Sequence, residues 1–304
     1  MNSAETGETR AGYVALVGRP NVGKSTLMNA LVGEKLSIVT ALPQTTRERV
    51  TGILTRADTQ VVFLDTPGLL EPRYLLQQSM QDAALRALHD ADVVLLLLDA
   101  TRADDTLPAD EPLAALHARR ARLVVAVNKV DAAPEQAVRG LEAWSSEVLG
   151  TSARRISALA GEGTEALLDA LCARLPPSPF LYPEDELAVQ PVRFFVAELV
   201  RETIFEEYTQ EIPYSTVVRV EEFREAEDPV YIRATVYVER ESQRGIIIGE
   251  KGAAIRRLGQ RSRAKIEAFV GQRVYLDLWV KAMPRWRKKA GSLRHLGYAA
   301  PEGG

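Results

Sequence analysis

A glycine-bounded loop near the N-terminus holds the residues with the clearest chemical potential. Gly18, Lys24 and Ser25 fit the spacing G-x-x-x-x-G-K-S/T, between an apolar run and a helical pattern. In such a loop, backbone N–H groups and the helix N-terminus point at phosphate oxygens, the lysine reaches the β and γ phosphates, and the hydroxyl binds magnesium. We therefore expect a nucleotide to contact Gly18, Arg19, Pro20, Asn21, Val22, Gly23, Lys24, Ser25 and Thr26.

A second short motif ends a later apolar run. Asp65, Thr66, Pro67 and Gly68 fit D-x-x-G, which on its own is more often a plain turn at a strand end. Because it follows a phosphate-binding loop, we expect Asp65 to hold magnesium through water and the Gly68 N–H to contact the γ phosphate. Leu69 comes next, and its side chain cannot hydrogen-bond an attacking water. Slow intrinsic hydrolysis is the expected consequence.

Four residues after a further apolar run predict which base is bound. Asn128, Lys129 and Asp131 fit N-K-x-D. A carboxylate such as Asp131 accepts hydrogen bonds from both N1–H and the exocyclic amine of guanine, a donor pair that adenine lacks on this edge. We expect Asn128 to bridge loops and the Lys129 stem to lie along the ring. At the next strand end a backbone N–H is expected to meet the guanine O6, among Ser157, Ala158 and Leu159.

These motifs must be positioned by strand ends, and the chain before residue 176 has a pattern that supplies them. Short β-rich runs alternate with helical patterns, which predicts an α/β fold with a doubly wound, mostly parallel sheet. The apolar run 93–98 is far shorter than the roughly 20 residues of a membrane-spanning helix. The predicted strands are 13–17, 61–65, 93–99, 123–128 and 155–157, and the predicted helices are 24–32, 75–89, 110–119, 135–149 and 163–174.

A proline cluster marks a predicted domain boundary. Pro176, Pro177, Pro179 and Pro183 follow a helical stretch and cannot continue it. After them the pattern changes to a smaller α+β module, with helices at 192–208 and on both sides of a glycine turn, and strands at 216–223, 230–238 and 274–280. The predicted divisions are a tail 1–11, a nucleotide-binding domain 12–175, a linker 176–183, a second domain 184–298 and a tail 299–304.

Charge is distributed unevenly between the two predicted domains. The whole chain has a net charge of -3, yet residues 244–295 contain 14 Lys or Arg against 3 Asp or Glu. Such an excess predicts a surface that binds polyanions. Within it, Gly249 and Gly252 form a G-x-x-G turn between two helices, where a nucleotide backbone can approach closely. A plain helix turn and an anionic lipid surface are the alternative interpretations.

Together these motifs resemble those of translation-factor-like P-loop GTPases of the TrmE/Era type. Three further segments, 43–47, 211–215 and 278–281, resemble the Era family, and the similarity extends from residue 12 to residue 298. The resemblance implies a GTPase domain followed by a KH-like domain, with Mg²⁺-dependent hydrolysis of GTP to GDP and phosphate. It implies Lys24, Thr46, Asp65 and Gly68 as catalytic residues, with Ser25, Thr46 and, through water, Asp65 around magnesium.

Asn21 has two equally weighted interpretations. Its position matches one that coordinates potassium near the phosphates in related GTPases, and its side chain can equally stabilise the loop by hydrogen bonds.

The same resemblance implies an RNA partner. It would be small-subunit ribosomal RNA near its 3′ end, on the 30S particle, bound by a cytoplasmic monomer with no affinity for DNA. The implied RNA-binding residues are Arg244, Gly249, Glu250, Lys251, Gly252, Arg256, Arg257 and Lys281. The alternative hypothesis is a membrane-associated signalling GTPase whose basic C-terminal segment binds lipid at the inner face of the membrane.

The three tryptophans, Trp144, Trp279 and Trp286, are predicted to be core or domain-surface residues. Only Trp286, flanked by Arg285, Arg287 and two lysines, also has a setting that suits base stacking.

Overall fold

The computed structural model describes residues 9–40, 42–102 and 110–299, which fold into two compact units. Of these residues, the first unit contains those up to 37, 46–71 and 80–189. The second unit contains 38–45, 72–79 and those from 190 onward. The predicted fold class, a mostly parallel α/β sheet followed by a smaller α+β module, is confirmed.

The elements up to residue 172 are mostly short strands and helices in alternation. In chain order they are β1 (Arg10–Val17), α1 (Lys24–Val32), β2 (Val50–Arg56), β3 (Thr59–Asp65), α2 (Leu75–Asp90), β4 (Val93–Asp99), α3 (Asp110–Ala118), β5 (Leu123–Asn128), α4 (Glu135–Trp144), β6 (Ala153–Arg155) and α5 (Thr164–Cys172).

The strand order β2-β3-β1-β4-β5-β6 brings the predicted motifs to one edge of the sheet. Pairing is parallel from β3 through β6, so the carboxyl ends of these strands meet at the same edge. Leu16 is in register with Asp65, and Asp99 is in register with Asn128. The residues that follow β1, β3, β4 and β5 are therefore neighbours in space although they are far apart in the chain.

Strand β2 was not expected from the sequence. It pairs antiparallel with β3 through a hairpin in which Arg56 faces Thr59 and Ala57 and Asp58 form the turn. Ala57 has φ 52°, a left-handed conformation that hairpin turns usually assign to Asn or Gly. The β-branched residues of the run 50–56 favour a strand, but without that turn signal the hairpin was not expected.

Residues 176–183 pack on the first unit instead of forming a separate linker. The N–H of Ala11 donates to the Pro176 carbonyl, at 3.3 Å, and Gln60, which is fully buried, contacts this segment with its side-chain amide. Its Oε1 accepts the N–H groups of Leu181 and Tyr182, at 2.8 and 3.0 Å, and its Nε2 donates to the Tyr182 carbonyl, at 2.9 Å. Proline ended the helix as expected, but the backbone beyond it found hydrogen-bond partners on β1 and β3.

Two segments inside the predicted range 12–175 belong to the second unit. The Arg201 guanidinium donates to the Thr45 carbonyl, and the Ser79 hydroxyl donates to the Ala299 carbonyl. The Arg287 guanidinium lies 5.1 Å from the centre of the Tyr74 ring. A division by sequence range alone could not detect these contacts, because they join residues more than 150 positions apart.

The second unit is built on a three-stranded sheet with the order β7-β8-β9, in which β7 and β8 are antiparallel and β8 and β9 are parallel. Its core contains buried Val, Ile and Leu from the sheet and from four helices. No helix among the described residues is long and apolar enough to span a bilayer. The elements are α6 (Val192–Glu207), α7 (Ile212–Ser215), β7 (Val217–Arg224), β8 (Val230–Val238), α8 (Glu241–Ile248), α9 (Ala253–Val270), β9 (Val274–Ala282) and α10 (Ala290–His295).

Replacing the buried Gln60 should destabilise the first unit. Gln60→Leu leaves the N–H groups of Leu181 and Tyr182 without acceptors, so we expect a loss of about 3 kcal/mol in the free energy of unfolding. Urea denaturation measures this loss, with Gln78→Leu, at an exposed position of α2, as the control. Equal stability of the two variants would show that the segment 176–183 does not depend on the Gln60 amide.

Candidate functional site

The loop between β1 and α1 has the backbone conformation that its glycines allow. Gly18 and Gly23 have φ 147° and 101°. A Cβ on Gly18 would lie 2.5 Å from the Leu97 carbonyl oxygen, and one on Gly23 would lie 2.3 Å from the Asn128 side chain. Both positions therefore require glycine, and α1 begins immediately at Lys24 with its N-terminus directed into the loop.

Lys24 lies inside this loop and is almost fully buried. Its ammonium group donates to the carbonyl oxygens of Gly18 and Arg19, at 3.2 and 3.0 Å. Arg19, Pro20 and Thr26 are half-buried, Val22 is buried, and Asn21 is exposed with φ 70°. The predicted phosphate-binding residues thus form one continuous surface around the lysine.

Three oxygen-bearing side chains meet beside the loop. The Ser25 hydroxyl donates to Oδ2 of Asp65, at 2.7 Å, and the Thr46 hydroxyl donates to the same oxygen, at 3.4 Å. The two hydroxyl oxygens are 3.1 Å apart. Hydroxyl and carboxylate oxygens are the donors that Mg²⁺ prefers, so this set fits the ion.

Asp65 is fully buried, and its environment explains its protonation behaviour. Burial raises the pKa of its carboxyl above the ordinary range, and the Ser25 hydrogen bond and the Lys24 charge oppose that rise. A cation in this position would favour the ionised carboxylate further. The group is therefore suited to act as an anion only when positive charge surrounds it.

The segment after Asp65 is held against the phosphate-binding loop. The Thr66 hydroxyl donates to the Leu16 carbonyl, at 2.7 Å, and the Leu69 N–H donates to the Gly18 carbonyl, at 2.9 Å. A Cβ on Gly68 would lie 2.5 Å from the backbone nitrogen of Pro20. Leu69 is fully buried, so its side chain lies in the core rather than at the site of water attack. Pro67 is also buried.

Asn128 joins two loops, as the sequence predicted for it. Its Nδ2 donates to the Val22 carbonyl, at 2.8 Å, and its Oδ1 accepts the Ala158 N–H, at 2.9 Å. One buried amide therefore fixes the phosphate-binding loop relative to the loop of Ser157 and Ala158. Leu159 projects from that loop with 86% of its surface exposed.

Asp99 is a site residue that the sequence analysis missed. Its carboxylate lies at the end of β4, is almost fully buried, and accepts from the Lys129 ammonium at 2.6 Å. Lys129 also donates to the Asn21 carbonyl, at 2.8 Å, which holds its stem beside the loop. An acid directly after the apolar run 93–98 was the available signal. Asp131 is exposed in the short turn that follows Lys129.

In the second unit a groove of about 510 Å³ lies between the G-x-x-G turn, α9 and β9, and we name it the G-x-x-G groove. Two arginines line it, and none of the described lining residues is acidic. The lining residues on the helix side recur every three or four positions from Gly252. Extending that period along α9 would have predicted Gly259, Gln260 and Arg263, which the sequence analysis did not include. The lining residues are Gly252, Ile255, Arg256, Gly259, Gln260, Arg263, Tyr275, Leu276 and Leu278.

The predicted RNA-binding residues are distributed unequally around this groove. Gly252 and Arg256 line it, and Gly249, Glu250 and Lys251 form the adjoining turn. Lys281 is exposed on β9, and Arg244 donates to the Val280 carbonyl, at 3.3 Å. Arg257 instead pairs with Glu207 of α6, at 3.3 Å, which directs it away from the groove lining.

Trp286 has the predicted core position, and the alternative of base stacking does not apply to it. Its ring is fully buried, its indole N–H donates to the Ser215 carbonyl at 2.8 Å, and it stacks on Tyr298 with ring centres 6.1 Å apart. The basic neighbours suggested a nucleic-acid surface, but the turn containing Trp286 directs the ring into the core. Trp279, on β9, is the exposed tryptophan, at 53%.

Comparison with known proteins finds a family model that matches each of the two units. The family model "50S ribosome-binding GTPase" matches residues 13–129, and the model "KH domain" matches residues 211–287. GTPase Era of Thermotoga maritima is 43% identical over 92% of this chain and 94% of that protein. GTPase Era of a Bradyrhizobium species is 41% identical over 97% of this chain and 96% of that protein. The chain belongs to the Era GTPase family.

Solved Era structures extend the similarity to the whole fold. An Aquifex aeolicus Era variant bound to GDP and AlF4⁻ superposes with a TM-score of 0.87 at 37% identity, covering 96% of this chain and 100% of that one. An Era bound to MgGDPNP and nucleotides 1506–1542 of 16S ribosomal RNA gives a TM-score of 0.85 at 37% identity, covering 96% and 99%. As an Era family member, the chain is a GTPase with a C-terminal KH domain.

Removing the Asp131 carboxylate should change base preference. Asp131→Asn replaces an acceptor of two hydrogen bonds with an amide that accepts one and offers a mismatched donor, so GTP should bind about 100-fold more weakly, or about 3 kcal/mol. Xanthosine triphosphate should bind more tightly, because its base offers an acceptor where guanine has its amine. Nucleotide titration measures both, with Asp90→Asn on α2 as control; unchanged GTP affinity would refute the role of Asp131.

Proposed function

We propose that this chain is a GTP-hydrolysing, RNA-binding switch that binds small-subunit ribosomal RNA near its 3′ end and acts in assembly of the small ribosomal subunit. The observation that carries the proposal is the G-x-x-G groove, lined by Arg256 and Arg263, on a chain that belongs to a GTPase family. The solved Era relative with a 16S ribosomal RNA fragment supports the choice of RNA. The 30S particle, and with it a cytoplasmic location, follow from that choice.

The nucleotide part of the proposal assigns a role to each residue of the oxygen cluster. The hydroxyls of Ser25 and Thr46 would bind Mg²⁺ directly and Asp65 through water, in keeping with their 2.7–3.4 Å separations. Bound Mg²⁺ supplies positive charge for the phosphates. Lys24 would shift from the loop carbonyls to the β and γ phosphates, and the Gly68 N–H would contact the γ phosphate.

A slow intrinsic rate of hydrolysis is part of this proposal. The buried Leu69 leaves the position after Gly68 without a polar side chain to orient water. Slow hydrolysis that needs groups from another molecule suits a switch. The GTP-bound state then lasts long enough for the chain to bind RNA. Thr46 couples to Asp65 in the same cluster, so loss of the γ phosphate would change the loop that carries it.

The shape of the basic segment favours RNA over a lipid surface. Arg257, Arg261 and Lys265 form ion pairs with three glutamates of α6, at 2.6–3.3 Å. These ion pairs neutralise part of the positive charge with which the segment could bind an anionic membrane surface. Arg256 and Arg263 instead flank a concave groove, which fits an extended phosphate backbone better than a bilayer.

Gly252→Asp should abolish RNA binding with little effect on the fold. Gly249 is a poor site for this test, because a Cβ there would lie 2.6 Å from the Ala254 Cβ, whereas a Cβ on Gly252 meets open space. Gly252→Asn is the matched control, since Asn and Asp tolerate the φ of 78° similarly and only Asp adds charge. Binding to the 16S fragment 1506–1542 should fall more than tenfold further for Asp than for Asn.

GTP hydrolysis without RNA serves as the internal control for that experiment, and it should be equal in the two variants. Equal RNA affinity of Gly252→Asp and the parent chain would refute the groove as the RNA site. Retained binding to anionic vesicles together with weak RNA binding by the parent would favour the membrane hypothesis instead.

Potassium at Asn21 is a finer proposal that ion exchange tests directly. If Asn21 coordinates K⁺ beside the phosphates, hydrolysis should be several-fold faster in KCl than in NaCl of the same ionic strength, because K⁺ adds positive charge to the transition state. Asn21→Ala should remove this difference. A rate that is indifferent to the cation in the parent chain would assign Asn21 a purely structural role in the loop.

A further inference from the structure

A group of aromatic rings, two of them exposed, lies on the face of the second sheet that is turned away from α6, α8 and α9. We name it the outer ring cluster and define it as Tyr231 of β8 with Tyr275 and Trp279 of β9. Tyr231 is in register with Tyr275. Tyr275 and Trp279 are four residues apart and therefore on the same face of the strand, roughly 13 Å from each other. They are 58% and 53% exposed.

Core packing does not explain these rings. The alternate residues of β9, Leu276, Leu278 and Val280, face the opposite side of the strand and pack into the core. Large aromatic side chains that remain half exposed are a common feature of binding surfaces. The exposed rings of Tyr275 and Trp279 thus point to a ligand rather than to stabilisation of the sheet.

The cluster is held rigidly. The rings of Tyr231 and Tyr275 are stacked, with centres 5.8 Å apart and planes inclined by 13°. The Arg224 guanidinium lies 4.9 Å from the centre of the Tyr231 ring. Asp277 lies between the two exposed residues and accepts from the Trp279 indole N–H, at 2.9 Å, and from the Tyr231 hydroxyl, at 3.3 Å. Binding would therefore immobilise few side chains that are not already ordered.

This arrangement limits what a ligand can use. The indole N–H of Trp279 and the hydroxyl of Tyr231 are already bonded to Asp277. The Tyr231 ring contacts Tyr275 and Arg224. The surface therefore offers a ligand the open ring faces of Tyr275 and Trp279 and the Tyr275 hydroxyl. Stacking on a ring face accepts any base, because every base has a π face. The chemistry fits unpaired nucleobases that are held by stacking and not read by their hydrogen-bonding edges.

We propose that the outer ring cluster stacks unpaired bases of an RNA strand that leaves the groove across the edge of β9. Continuity with the groove is the argument for this occupant: Tyr275 lines the groove together with Gly252 and Arg256, and it also belongs to the outer ring cluster. The proposal rests on the proposed RNA-binding function and adds a second contact region to it.

The test compares variants of the full-length chain that retain or remove a ring. With the 16S fragment 1506–1542 as the probe, Trp279→Ala and Tyr275→Ala should each bind about tenfold more weakly, the expected effect of losing one base stack. Trp279→Phe keeps a ring and should bind nearly as tightly as the parent. Phe269→Ala, at an exposed ring of α9 outside the cluster, is the control and should leave RNA affinity unchanged.

Tryptophan fluorescence distinguishes base stacking from a structural role. If Trp279 only stabilised the sheet, RNA binding would not quench its emission. Trp286 is fully buried and Trp144 is half-buried in the first unit, so stacking should quench mainly Trp279. RNA should quench the emission of the parent chain, and Trp279→Phe should lose that quenching while it still binds RNA. GTP hydrolysis without RNA checks that each variant is folded.

The possible results separate this proposal from the one on which it depends. If the parent does not bind the RNA fragment, the proposed function fails. If the parent binds it and the Trp279→Ala and Tyr275→Ala variants bind equally well without loss of quenching, the RNA function stands and the stacking proposal is refuted. The same face, with its Trp, Tyr and Arg side chains, would then be assigned to a protein partner.

Discussion

The hydrogen bond from Ser25 to the buried carboxylate of Asp65 is the interaction on which the nucleotide site depends. It joins the start of α1 to the end of β3, and Thr46 reaches the same oxygen from the intervening segment. A carboxylate without solvent favours its neutral form unless cations compensate, which is why burial raises the pKa of Asp65. The first unit therefore holds an anion that becomes stable when Lys24 and a divalent cation surround it, so nucleotide binding and loop geometry are linked through one group.

A second link of this kind connects the loops after β4, β5 and β6 to the loop between β1 and α1. Asn128 binds the Val22 carbonyl on one side and the Ala158 N–H on the other, and Lys129 bridges Asp99 and the Asn21 carbonyl. Parallel pairing of β4 and β5 places Asp99 and Asn128 directly opposite each other. A change of register by one residue would turn these side chains to the other face of the sheet, so the buried apolar strands determine the accuracy of base recognition.

The sequence predicted those parts of the molecule whose geometry depends on residues that are close together in the chain. The loop 18–25 needs glycines at particular φ values, and Asp131 lies three residues after the end of β5, so spacing alone predicted where both lie. Strand β2, the packing of 176–183 on Gln60 and the contacts of 38–45 with the second unit depend on partners far along the chain. Trp286 shows the same limit, because neighbouring charge does not decide whether a turn points its ring inward or outward.

The basic segment shows why net charge overstates a binding surface. Residues 244–295 have a large positive excess, yet Arg257, Arg261 and Lys265 face glutamates of α6, two of which, Glu202 and Glu207, are almost fully buried. These pairs fix α9 against α6 and so hold the opposite side of α9, with Arg256 and Arg263, at the groove. Helix periodicity thus separates two sets of basic residues: one side of α9 forms ion pairs with α6, and the other lines the groove.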